Sequence, residues 1–131
     1  MNHEDFINNV AERAGLSKAQ AEAITRAVLA TLAERISGGE ARDLAAQLPV
    51  PLQTPLIGAA EEAEPFGLDE FVRRTAERAG IGRDETDRGV AAVLTTLRDA
   101  VTPGEFDDVL SQLPEEFKRL GVPATRGGDG A

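Results

Sequence analysis

Apolar residues recur along this chain at helical spacing, and the same arrangement returns 65 positions later. Phe6, Ile7, Val10, Ala11 and Ala14 share one face of a 3.6-residue turn, which predicts a first helix over residues 3–14. Ile24, Val28, Leu32 and Ile36 then repeat every four residues, with Ala27 and Leu29 beside them. That pattern marks a long amphipathic helix of about 18–20 residues. Leu44 and Leu48 carry a short third helix, which Pro49 stops. The second half repeats this order. Phe71 opens it, Val90, Val93, Leu94, Leu97 and Val101 carry the long helix, and Val109, Leu110 and Leu113 carry the short one before Pro114. No β-sheet is expected.

The polar letters between these runs punctuate helices. Ala-Glu-Arg-Ala-Gly occurs at 11–15 and again at 76–80. A glycine just past a helix takes the left-handed conformation that closes the last turn, and the apolar residue after it packs back on the helix. Gly15 with Leu16 and Gly80 with Ile81 fit that role, and the Glu and Arg of the motif read as solvated pairs. Ser17 with Gln20, Ser37 with Glu40 and Thr102 with Glu105 have the spacing of capping boxes. Gly82 with Glu85 keeps only the reciprocal residue, and Pro103 suits a first helical position.

Aligned without a gap, residues 5–49 and 70–114 are identical at 17 of 45 positions, which is an internal duplication. A three-helix unit of about 50–55 residues is marginal alone. The expected fold is therefore all-α, with two tandem three-helix repeats packed face to face into one helical domain. The first repeat is placed at 1–58, an acidic, Pro-bearing link at 59–66, the second repeat at 67–122, and a disordered tail at 123–131. Leu52, Leu56 and Ile57 are too apolar for a free linker and are expected to pack on the body, leaving Ala59–Glu64 exposed and mobile. Gly89 stands where the first copy has Ile24. Either another helix crosses closely there, or the second long helix is weaker by up to about 1 kcal/mol.

Composition narrows the chemistry. The net charge is −9, with 5 basic and 10 acidic residues over 1–66 and 9 and 13 over 67–131. Neither half is a basic arm suited to phosphate, so no nucleic acid partner is expected. There is no Cys, hence no disulfide and no thiol nucleophile. No apolar run reaches the roughly 18 residues that span a membrane, so no membrane insertion is expected and a cytoplasmic location is read. His3 is the single histidine, and it lies at the fraying N-terminus, away from any triad or imidazole cluster.

The acidic groups Asp84-Glu85-Asp87, Asp107-Asp108 and Glu115-Glu116 lack calcium-loop spacing and read as helix first turns, where the dipole favours negative charge. Neither Gly38-Gly39 nor Gly127-Gly128 is a phosphate loop. No catalytic, metal or cofactor residues are assigned. Arg73, Arg74 and Arg78 cluster where the first copy has Asn8, Asn9 and Arg13. They pair with Glu70 and Glu77 at helical spacing, or else form a partner or anion patch. Gln47 and Gln112 precede the Leu-Pro stops, where an amide can serve the carbonyls that proline strands.

Phe6, Ala11-Glu-Arg-Ala-Gly-Leu16, the long Ala/Leu helix and Gln47-Leu-Pro49 together resemble the bacterial family catalogued as domain of unknown function 2267. The resemblance covers about residues 3–122. It implies tandem helical repeats, each closing on Leu-Pro and a following apolar residue, here Leu52 and Phe117. It implies no catalytic residues. Residues 4–32 also resemble the helical hairpin that opens histone-like HU proteins, a dimerising scaffold. The basic β-ribbon that would follow in HU is replaced here by Pro49-Val-Pro-Leu52 and acidic residues. The function expected is a non-enzymatic module that binds an as yet unidentified protein partner. The alternative is a small-molecule or lipid-binding helical bundle. Oligomeric state is open.

Overall fold

The computed structural model describes residues 1–58 and 60–120. The expected tail after Pro123 lies outside the described residues. Among those described run seven α-helices and no strand, so the chain is all-α. They are α1 (His3–Ala14), α2 (Lys18–Arg35), α3 (Gly38–Ala45), α4 (Val50–Gln53), α5 (Leu68–Ala79), α6 (Arg83–Ala100) and α7 (Pro103–Ser111). Two 3₁₀ turns, Thr54–Leu56 and Glu115–Leu120, follow α4 and α7. The bounds of α1 and α2 recur 65 residues on as those of α5 and α6, and α7 starts 65 residues after α3. None of these helices is long and apolar enough to cross a membrane.

The helix ends follow their sequence signals. Gly15 and Gly80 close α1 and α5 at φ of 67° and 70°, in the left-handed region. Ser17 accepts the Gln20 N–H at 3.1 Å, and Gln20 accepts the Ser17 N–H at 3.0 Å, a complete capping box. Gly82 has no side chain to cap with, so α6 keeps only the reciprocal bond, from the Gly82 N–H to Glu85 Oε1 at 3.0 Å. Asn2 caps α1 through the Asp5 N–H at 2.7 Å. Its counterpart at α5 is Gly67, and there Glu116 reaches over from the second 3₁₀ turn to accept the Leu68 N–H at 2.8 Å.

The first helix of each half packs mainly on the long helix of the other. α1 lies along α6, α5 lies along α2, and the two long helices cross. Apolar side chains from both halves consequently form one core. Phe6 and Phe71, Val28 and Val93, Leu32 and Leu97, and Leu48 and Leu113 are all buried, as their spacing predicts. Phe117 meets Phe71 edge-on, with ring centres 5.2 Å apart. Burying several such large side chains stabilises by about 1.5–3 kcal/mol each, and neither half alone supplies both sides of the contact.

Two features depart from the expectation. Leu52 and Leu56 are buried, but Ile57 is 66% exposed. The segment that joins the halves is exposed yet strapped down. Gly38 donates its N–H to the Glu61 carbonyl at 3.0 Å, and the Glu64 N–H reaches the Glu34 carbonyl at 2.8 Å. Arg42 pairs with Glu61 at 2.8 Å, and Arg35 Nε donates to the Phe66 carbonyl at 2.6 Å. Backbone groups that would otherwise be left to water are thus used to fix the crossing.

Candidate functional site

Two reciprocal clasps tie the halves together. Arg13 on α1 donates to Thr96 Oγ1 at 2.9 Å and to Asp99 at 2.6 Å, both on α6. Arg78 on α5 donates to Thr31 Oγ1 at 2.8 Å and to Glu34 at 2.6 Å, both on α2. The Arg of the repeated pentapeptide is therefore an interface residue, which corrects its reading as half of a solvated pair. Glu12 and Glu77 are its neighbours in sequence only; the packing of α1 on α6 and of α5 on α2 supplies its partners.

The second clasp involves the glutamines. Gln112 Oε1 accepts the Ser37 N–H at 2.7 Å, and Gln47 Oε1 accepts the Thr102 N–H at 2.8 Å. Each amide nitrogen points back to the hydroxyl of the same residue, at 3.3 Å in both cases. Each glutamine thus caps the short helix of the opposite half. The Leu48 carbonyl, at the Leu-Pro stop beside Gln47, is served instead by Gln53 Nε2 at 2.9 Å.

This exchange has a consequence for Glu40 and Glu105. Ser37 and Thr102 still accept the Glu40 and Glu105 N–H groups, each at 3.2 Å. The return bond of a capping box is not made, because a glutamine from across the interface has taken the Ser37 and Thr102 N–H groups. Released from that duty, the two glutamates turn to the contact between α3 and α7. Ligand oxygens of Glu40, Asp43 and Glu105 lie within 4.8 Å of one another. Glu105 is 8% exposed, and one carboxylate oxygen of Glu40 and one of Glu105 are buried without a hydrogen-bond partner. Burial, the adjoining Glu40 carboxyl and the charges of Asp43 and Asp108 push Glu105 up to about 8. Asp107 and Asp108 stand beyond the first turn of α7, as Asp87 does in α6, so the dipole account does not hold for these three.

Such a set can share a proton between Glu40 and Glu105, or offer hard oxygen donors to a cation. Sequence reasoning missed it because each glutamate had a local explanation. The available signal was that Gly-Glu and the following Asp are among the positions identical in the two copies.

The Arg73, Arg74 and Arg78 cluster is assembled on one side of α5 and engaged throughout. Arg73 makes two 2.8 Å bonds to Glu70 and lies 3.7 Å from Glu77. Arg74 reaches Glu70 at 2.8 Å, Glu34 at 3.0 Å and Glu64 at 3.2 Å, and lies 4.0 Å from the Phe66 ring centre. Hydrogen bonds from Arg73 and Arg74 hold Glu70 down at about 2. His3 Nε2 lies 3.3 Å from Glu22, on the N-terminal turn.

A different surface flanks Ile57. A groove of about 340 Å³ is lined by Ala45, Ala46, Gln53, Leu56 and Ile57, among others. Another of about 350 Å³ runs past Ala30, Ala33, Pro55, Ile57 and Gly58 and is edged by Glu34, Glu62 and Glu64. Ile57 stands between them as an aliphatic ridge.

No curated protein matches the chain. The sequence profile of the family described as uncharacterized conserved protein DUF2267 matches residues 3–120, nearly the whole length, and the chain belongs to that family.

Proposed function

We propose that the chain is a non-enzymatic protein-interaction module built by duplication of a three-helix unit. The observation that carries this reading is Ile57, a large aliphatic side chain 66% exposed between two grooves, one lined by Ala45, Ala46 and Leu56 and the other by Ala30 and Ala33 with the acidic Glu34, Glu62 and Glu64. Such ridges and furrows receive the apolar side chains of a partner helix or peptide. The partner is a protein rather than nucleic acid, because the net charge of −9 opposes a phosphate backbone and Arg73, Arg74 and Arg78 are already paired within the chain. A photo-crosslinking residue at a groove position such as Ala46 tests the idea in the native cell. Capture of one predominant protein, lost when Ile57→Asp is introduced beside the crosslinker, supports it. Absence of any specific adduct, with the melting temperature unchanged, refutes it.

A small-molecule reading draws on the volume of the same grooves, which falls within the range of ligand sites. Both open to solvent beside residues of the first half instead of lying between the halves. Saturable displacement of an apolar dye, sensitive to Ala46→Trp, would favour it over a protein partner.

A further inference from the structure

We infer that Glu40, Asp43 and Glu105 form a binding site for a hard divalent cation of the Ca²⁺ kind, which bridges α3 to α7. Glu40 and Asp43 stand three residues apart on α3 and so share one helix face. Glu105 comes from α7, and Asp108 follows it at the same spacing on the opposing helix. The ligand oxygens lie within 4.8 Å of one another. Ca²⁺ takes oxygens at about 2.3–2.6 Å, so two of its ligands can stand up to about 5 Å apart, whereas Mg²⁺ at about 2.1 Å needs a tighter set. The donors are all carboxylates, and the chain has no cysteine and only a distant histidine, so softer metals are disfavoured.

A cluster of acidic residues alone would be an ordinary surface feature. This one is different because it includes Glu105, nine-tenths buried, one of whose carboxylate oxygens is buried without a hydrogen-bond partner, and because Glu40 presents a second such oxygen. A buried polar atom without a partner costs stability unless something satisfies it. Among the described residues, no Lys, Arg or His stands within ion-pair distance of Glu40, Asp43 or Glu105. Nearby Arg42 is turned to Glu61. Three carboxylates leave several coordination positions to water, so the affinity belongs at the weak end, a Kd on the order of 10⁻⁴–10⁻³ M.

The test is calorimetric titration of the full chain, stripped with EDTA, with CaCl₂ at pH 7.5. One ion per chain should bind, and Glu105→Gln should weaken binding about 10-fold or more, while the exposed control Glu12→Gln leaves it unchanged. Mn²⁺ should broaden amide resonances of α3 and α7 first. Should Glu105→Gln not fold, Asp43→Asn replaces it and must show the same loss. No saturable binding below about 10 mM, ten times the weak limit given for such sites, would overturn the site and leave a shared proton as the balancing charge. Binding that these variants leave untouched, or broadening centred elsewhere, would overturn it equally. The protein-interaction reading stands or falls separately, at Ile57.

Discussion

Ile24 and Gly89 occupy the same position in the two halves and meet each other where α2 crosses α6. A Cβ added to Gly89 would stand 2.5 Å from Ile24 Cγ1. There is room for only one side chain between them. The glycine is thus required by the close crossing and does not mark a weak helix.

Gly89→Ala should therefore destabilise by about 1–3 kcal/mol, although alanine is the better helix former. Ile24→Ala should cost about 2–5 kcal/mol alone. Combined, the two should cost clearly less than their sum, because each relieves the other. Urea titrations of the four proteins in this cycle measure the coupling; strict additivity would contradict the contact.

Each glutamine clasp should be separable by amide exchange. Gln112→Ala should lower protection of the Ser37 amide, and Gln47→Ala that of Thr102, at a cost of about 1–2 kcal/mol apiece. Loss of protection at the helix end belonging to the mutated residue's own half would point to another arrangement.

Acid should loosen the arginine clasp. The hydrogen bond from Arg78, aided by Arg74, holds the Glu34 carboxyl below its ordinary value of 4.5 against the opposing effect of burial. Glu64 and Glu70 also face Arg74 and share its charge. A depressed folded pKa gives stability that is complete above 4.5 and lost as pH falls through the folded value. Glu34→Gln should thus cost about 0.5–1 kcal/mol at pH 7, after solvent screening, and flatten the acid limb of a stability profile below pH 4.5. An unchanged acid limb would rule out the assignment.

A fragment of residues 1–62 should not fold as a monomer. It lacks α6 for α1 and α5 for α2, so it should be unfolded when dilute or pair with a second copy at higher concentration. Sedimentation equilibrium with thermal melting decides this, and a monomer with a sharp transition would count against it.

Local signals in the sequence were read well where local physics decides. Gly15 and Gly80, the Ser17 box and the four-residue spacing of Ile24, Val28 and Leu32 each depend on residues within one or two turns. Glu40, Glu105, Arg13 and Arg78 were misread for the opposite reason. Each has a plausible neighbour a few residues away, but its actual partner stands some 44–86 positions off. Only knowing which helix crosses which could move Ser37 from Glu40 to Gln112. Ile57 follows the same logic. Its apolar character argued for burial, while its side chain falls outside the turn that buries Leu52 and Leu56.

The crossed packing also orders events during synthesis. α1 leaves the ribosome well before its main companion, α6, which ends at Ala100. At about 5–20 residues per second, α1 waits several seconds with only first-half helices to cover Phe6, Ile7 and Val10. Completion of the C-terminal half is what releases the nascent chain from that exposure. Premature termination between the halves would leave an adhesive product, and translation that pauses before Ala100 prolongs the same hazard.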